Sequence, residues 1–253
     1  MIINYARHAG GYLRHRDGVW VSLSAAPWAG GIEGALVSAP HFLAPCEPGK
    51  IVCVGRNYAA HAKELGNEVP KEPLLFFKPP SSVIGPDGVV MLPPESEKIE
   101  YEAEVAVVIG KRLRRGSEAE ARDAVFGYTA SCDVTARDLQ KKDGQWTRAK
   151  GFDTFCPLGP WIVSGAEVPA TVALSVNGEP KQNGRTADMV FSVPVLLAYI
   201  SQAMTLEPGD VVLTGTPEGV GPLAHGDAVT VSISGIGALS FTCATERRKQ
   251  DSL

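Results

Sequence analysis

The segment Glu100-Tyr101-Glu102-Ala103-Glu104-Val105-Ala106-Val107-Val108-Ile109 starts in strict alternation and ends in an apolar run. Period-two alternation marks a strand with one polar face, and a continuous apolar run is what a strand covered on both faces reads as. A strand that passes from one regime to the other must enter a β-rich core. In that register Glu100, Glu102 and Glu104 emerge on one face, neighbours about 6.6 Å apart along the backbone. Three like charges in a row repel one another unless a cation neutralises them. Two readings stand at this point: an edge strand whose glutamates face water, or a strand whose carboxylates converge on an ion.

The rest of the chain repeats the β theme in short pieces. Ile51-Val52-Cys53-Val54, Leu74-Leu75-Phe76-Phe77, Val89-Val90-Met91-Leu92, Val211-Val212-Leu213 and Val229-Thr230-Val231-Ser232-Ile233 read as strands, each closed by Pro, Gly or polar turn residues. Thr171 to Val176 alternates and meets Asn177-Gly178, the strongest hairpin signal present. Helices are expected to be few and short: Tyr58 to Leu65, Ser117 to Val125 with Ser117 and Glu120 as a capping box, and one opened by Ser192 and Pro194 running to about Met204. Residues 1 to about 45 read as a small strand-rich N-terminal lobe, 46–245 as the main domain and 246–253 as a polar tail. The fold expected is therefore mainly β with short helices, a barrel or roll rather than a βαβ array.

Charge and motifs narrow the function. Lys plus Arg number 24 against 28 Asp plus Glu, so no global positive field favours nucleic acid. The run Lys111, Arg112, Arg114, Arg115 contains no interleaved aromatic residue and reads as a solvated turn. No stretch of 18 apolar residues and no signal-peptide pattern is found, so neither a membrane nor export is expected. Five cysteines without a CxxC pair read as reduced thiols of a cytoplasmic protein. The Walker A, dinucleotide GxGxxG and Gly-x-Ser-x-Gly patterns are all missing.

What remains is carboxylate chemistry. Asp133 sits among small and apolar residues that suggest burial, and a buried carboxylate must be paired or bind a metal. Joined to Glu102 and Glu104 it makes an all-oxygen site, which suits Mg2+ or Mn2+ rather than Zn2+. Lys150, between Ala149 and Gly151, reads either as an oxyanion stabiliser or as a surface lysine with a buried stem. His61 and Glu64, three apart on a helix, share a face and read either as an oriented base or as a structural pair. The loop Leu213 to Gly221 offers amides and hydroxyls that can hold a carboxylate.

Taken together, several stretches resemble the fumarylacetoacetate hydrolase family. They are Val54-Gly55-Arg56-Asn57-Tyr58 with His61 to Glu64, Phe77-Lys78-Pro79, Tyr101-Glu102-Ala103-Glu104, Asp133 to Gln140, Lys150-Gly151-Phe152-Asp153 and Leu213-Thr214-Gly215-Thr216-Pro217. The resemblance implies a mixed β-roll around an incomplete barrel, a homodimer, and a divalent cation, Mg2+ or Mn2+, held by Glu102, Glu104 and Asp133. It implies catalytic roles for His61, Glu64 and Lys150, and places Arg56, Lys78, Arg137, Gln140 and Thr216 near a small 2-oxo or 2-hydroxy carboxylate. The leader looks like that of the isomerase and decarboxylase branch, acting on 2-hydroxy-dienedioates and 2-oxo-enedioates of aromatic catabolism. Acylpyruvate hydrolysis, oxaloacetate decarboxylation and a non-catalytic metabolite-binding role are the alternatives.

Overall fold

A computed structural model describes residues 1–246, so the expected polar tail lies, past Glu246, outside the described residues. The chain is mainly β, in three open sheets. The largest runs in the order Glu33–Val37, Val19–Leu23, Gly11–Arg16, Ile3–His8, Cys156–Ser164, Val125–Cys132, Ala103–Ile109, Val211–Leu213, Ile51–Gly55, Leu74–Lys78. A five-stranded sheet orders Glu179–Arg185, Thr171–Val176, Ala228–Ile233, Gly237–Thr245 and Val89–Leu92, and a three-stranded one orders Thr135–Ala136, Ile99–Tyr101 and Gly221–Pro222. The N-terminal strands extend the large sheet, because Tyr5 pairs with Ile162 and Ile3 with Ser164.

Ala103–Ile109 is covered on both sides, as its apolar run requires. Val105, Val107 and Ile109 join the large apolar cluster that includes Leu174, Val231, Leu239 and Phe241, while Ala106 and Val108 pack with Ile51, Leu158, Ile162 and Leu213 on the opposite face. The expected single strand from Glu100 is broken at Glu102. Ile99–Tyr101 pairs in the three-stranded sheet and Ala103–Ile109 in the large one, so the chain changes sheets between them. The Gln182 side chain accepts the Ala103 N–H at 2.9 Å, and Glu102 C=O accepts from Asp133 N–H at 2.8 Å. These two bonds give one amide and one carbonyl at the break their partners.

Five α-helices are described: α1 Ala59–Glu64, α2 Glu118–Ala124, α3 Arg137–Asp143, α4 Thr147–Gly151 and α5 Val193–Ala203. The Ser117–Glu120 capping box forms at the start of α2 as expected. Asn177 and Gly178 both take positive φ in the hairpin turn, 53° and 81°. Among the described residues no helix is long and apolar enough to cross a membrane.

Candidate active site

The break at Glu102 creates the site. Glu102 leaves the strand ladder at the mouth of the roll, Glu104 follows two residues on, and Asp133 stands just after the neighbouring strand Val125–Cys132. One carboxylate oxygen from each lies within 4.8 Å of the others, and all three residues are buried. Glu100 does not join them. Its carboxylate accepts from Arg137 Nε at 2.7 Å and faces Lys98 Nζ at 3.1 Å. The edge-strand reading fails, since none of the glutamates faces water.

Cations are packed around this cluster. Lys150 Nζ donates to Glu102 Oε2 at 2.9 Å and to Asp133 Oδ2 at 2.6 Å, and is 1 % exposed, which excludes the surface-lysine reading. Its ammonium also lies 4.9 Å from the centre of the Phe76 ring. Lys78 Nζ lies beneath the cluster, donating to Asp133 Oδ1 at 2.6 Å and to the Val134 carbonyl at 3.0 Å. Arg137 donates to Glu100, to Glu102 and, at 2.7 Å, to Gln140 Oε1. Of the two residues expected near the substrate, Arg137 lines both the cavity above the carboxylates and the outer cleft beyond it, and Lys78 lines neither.

These contacts set the charge states. Burial opposes ionisation of Glu102, but the Lys150 ammonium and Arg137 guanidinium outweigh it and hold this carboxyl well below the ordinary range. Burial likewise opposes the charge on Lys150, and Asp133 and Glu102 outweigh it, so the lysine stays an ammonium. Glu104 is the opposite case. Burial, then the Asp133 and Glu102 charges, push its carboxyl well up. Among the described residues it has no lysine or arginine partner, and its one hydrogen bond comes from Gly215 N–H at 2.6 Å. A carboxylate buried beside two others without a cation of its own is the feature a divalent ion would complete. The all-oxygen donor set fits Mg2+ or Mn2+.

The Gly-rich loop therefore holds carboxylates, but those of the protein itself. Gly215 serves Glu104, and Gly219 N–H donates to Glu64 Oε1 at 3.0 Å. Gly215 takes φ +96°, and a Cβ there would lie 2.8 Å from the Asn57 Cβ, so only glycine brings this amide in. Thr216 Oγ1 accepts from Gln182 Nε2 at 2.8 Å. Gln182, which also holds the strand break, was missed in sequence, because a lone glutamine on a hairpin strand carries no signal.

Above the carboxylates lies a small cavity of about 50 Å3, lined by Arg56, His61, Glu102, Glu104, Lys150 and Thr216 among others. It adjoins an outer cleft of about 520 Å3 that shares Arg56, Arg137, Gln140 and Trp146 and adds Glu64, Lys98 and Lys141. His61 and Glu64 do form a pair on α1, Nδ1 to Oε2 at 3.4 Å, with His61 at the cavity wall. Arg56 takes φ +58°, a left-handed conformation disfavoured for a residue with a side chain. It is held there from both sides. Gly55 packs so closely that a Cβ would lie 2.9 Å from the Trp146 ring, and Asn57 donates to the Phe191 and Thr214 carbonyls and accepts from Phe191 N–H.

The fold is a mainly β roll that gathers a buried Glu-Glu-Asp cluster, a bridging lysine and a His-Glu pair around one cavity. The family pattern described as Fumarylacetoacetate (FAA) hydrolase C-terminal matches residues 50–244, and the chain belongs to that family of isomerases and hydrolases. The chain is 48% identical over 206 residues to the mitochondrial oxaloacetate tautomerase of Arabidopsis thaliana, covering 79% of this chain and 92% of the relative. It is 45% identical over 211 residues to an oxaloacetate tautomerase of Escherichia coli K12, covering 80% and 93%. Among solved structures it resembles 2-hydroxyhepta-2,4-diene-1,7-dioate isomerase from Mycobacterium marinum, with a TM-score of 0.86, 38% identity, and coverage of 98% of this chain and 100% of the other.

Proposed function

We propose that this protein is a divalent-cation-dependent isomerase that moves a proton between the 2-oxygen and a carbon conjugated to it in a 2-oxo or 2-hydroxy dicarboxylate. The observation that carries this reading is Glu104, a buried carboxylate without a cation of its own, facing a cavity walled by His61. The relatives support it: oxaloacetate tautomerase and dienedioate isomerase are both named for such proton shifts.

Mg2+ or Mn2+ held by Glu102, Glu104 and Asp133 would supply Lewis acidity toward a 2-oxo acid. The chain supplies the rest. Lys150, fixed between Glu102 and Asp133, places a permanent positive charge beside the oxygen that gains negative charge as the enolate forms. His61, whose Nδ1 faces Glu64, keeps Nε2 to hold or move the proton. Glu64 orients the ring and is itself fixed by Gly219 N–H. Arg56, Gln140 and Thr216 at the cavity wall bind the substrate's carboxylates, and the outer cleft accepts a distal chain longer than the 50 Å3 cavity holds.

Within this class the dienedioate isomerase and decarboxylase of aromatic catabolism is our leading assignment, because the likeness to the isomerase structure extends through the N-terminal strands to 98% of the chain. Oxaloacetate tautomerisation is the second reading, favoured by the higher identity of those relatives. The test follows ultraviolet absorbance and products with 2-hydroxyhepta-2,4-diene-1,7-dioate, its tricarboxylate precursor, enol-oxaloacetate and acylpyruvates, in Mg2+ and in EDTA. EDTA-sensitive turnover of the first two, lost in His61→Asn, is expected. Turnover of enol-oxaloacetate alone selects the second reading, cleavage of acylpyruvates selects a hydrolase, and no turnover overturns the proposal.

A further inference from the structure

The basic run Lys111 to Arg115 plays no part in the site above, and the fold gives it a specific setting. Arg112, Arg114 and Arg115 line a recess of about 380 Å3 together with Ser201, Gln202, Ala203, Met204 and Thr205 at the C-terminal end of α5. The recess shares no lining residue with the cavity or the outer cleft. Its lining includes three arginines and no acidic residue.

The backbone around the recess is fixed. Leu113 and Leu206 exchange two hydrogen bonds of 2.9 Å, Arg115 N–H donates to Ser201 C=O at 2.8 Å, and Gly116 N–H donates to Ser201 Oγ at 3.0 Å. Leu113 is buried, so its neighbours in the run are pinned at the surface. These backbone bonds and Met204 N–H, donating to Ile200 C=O, already serve the end of α5. Among the described residues none of the three guanidiniums donates to a helix carbonyl. Arg112 meets Glu207 at 3.2 Å, with both side chains largely exposed, whereas Arg114 and Arg115 have no carboxylate partner among the described residues.

Arg112 has Glu207 beside it, but Arg114 and Arg115 line the same recess with no carboxylate partner among the described residues, and like charges placed together favour an anion there. The guanidinium fork matches phosphate oxygens in pairs. A recess of this volume suits a small molecule rather than the backbone of a nucleic acid duplex. The α5 wall of the recess is fixed, since Ser201 Oγ donates to Ala198 C=O and Gln202 Nε2 to the Gly116 and Ala198 carbonyls. We propose that Arg112, Arg114 and Arg115, with the Thr205 hydroxyl, form a binding site for a small phosphorylated metabolite, separate from the active site.

The test is calorimetric titration of pyrophosphate into the metal-free full-length protein at physiological ionic strength. Saturable binding is expected, weakened by roughly tenfold or more in Arg114→Gln/Arg115→Gln. It should persist in Lys111→Gln, which alters the same run outside the recess, and in Arg56→Gln, which removes a guanidinium from the active-site cavity wall. Absence of binding, or binding that survives the double substitution, overturns the proposal. Equally tight binding of tricarballylate, a tricarboxylate, overturns the phosphate assignment. Circular dichroism of the double variant, expected to match the parent, keeps a folding defect from imitating the expected loss.

Discussion

Lys78 and Asp133 form an ion pair from which water is wholly excluded: Nζ lies 2.6 Å from Oδ1 and both side chains are 0% exposed. Asp133 faces Lys150 through its other oxygen, so one carboxylate is held between two ammonium groups. Leaving a buried charge without its partner typically costs about 3 kcal/mol or more, and Lys150, which stays on the other Asp133 oxygen, offsets part of that cost here. Lys78→Met is expected to lower stability by about 1–3 kcal/mol in urea denaturation. A loss under about 1 kcal/mol would show that Asp133 does not depend on Lys78 for its charge.

Glu104 carries the opposite expectation. Burial and the neighbouring Asp133 and Glu102 charges raise its carboxyl, so in the metal-free protein its ionised form works against folding. A carboxyl raised in the folded state contributes instability that is absent below its unfolded value, near 4.5, and grows as pH rises toward the folded value. Glu104→Gln removes the charge and keeps an acceptor for Gly215 N–H. The variant is expected to melt above the parent in EDTA at neutral pH and to lose the rise in Tm that Mn2+ gives the parent. A variant still stabilised by Mn2+ would remove Glu104 from the ligand set.

The cysteines give a pH signature away from the site. All five are free and buried. Burial pushes Cys46 and Cys243 up to about 12, Cys156 up to about 11, and Cys53 and Cys132 well above the ordinary value. Unfolded thiols lose their protons near pH 9 while the folded ones keep theirs, so stability is full below that pH and falls as pH climbs toward the folded values. At pH 8 a disulfide thiol reagent is expected to leave the native protein unmodified and to titrate all five cysteines in urea. Rapid reaction of any native thiol would contradict the burial.

How much of this was legible follows from the physics of each residue. The apolar run to Ile109 and the Asn177-Gly178 turn are local signals, and the fold obeys both. Spacing alone leaves Glu102 and Glu104 open between a solvated edge and an ion site, and the family resemblance groups them with Asp133, where the structure brings all three together. The break at Glu102 was not legible, since it depends on Gln182, 79 residues away, taking the Ala103 amide. Nor did the sequence show that Lys78 and Arg137 would be engaged by acidic side chains. Their partners become neighbours only when separate sheets meet.

Arg56 brings conformation and function into direct conflict. Its left-handed backbone, φ +58°, costs a residue with a Cβ about 1 kcal/mol relative to glycine, and the Asn57 hydrogen bonds together with Gly55 against Trp146 keep it there. Strain held from both sides at a cavity wall is what a side chain retained for its guanidinium would show. Arg56→Gly removes the strain and the charge together. Stability is expected to rise slightly, by about 1 kcal/mol at most once the entropy of the glycine is counted. With a dicarboxylate substrate KM is expected to rise by roughly tenfold or more, as for loss of a charge-assisted hydrogen bond to a carboxylate, with kcat changing much less. Thermal melts and steady-state kinetics on the same preparation check both. If stability and KM are both unchanged, Arg56 neither stores strain nor binds substrate; a fall in kcat with KM constant would move it from binding to the chemical step.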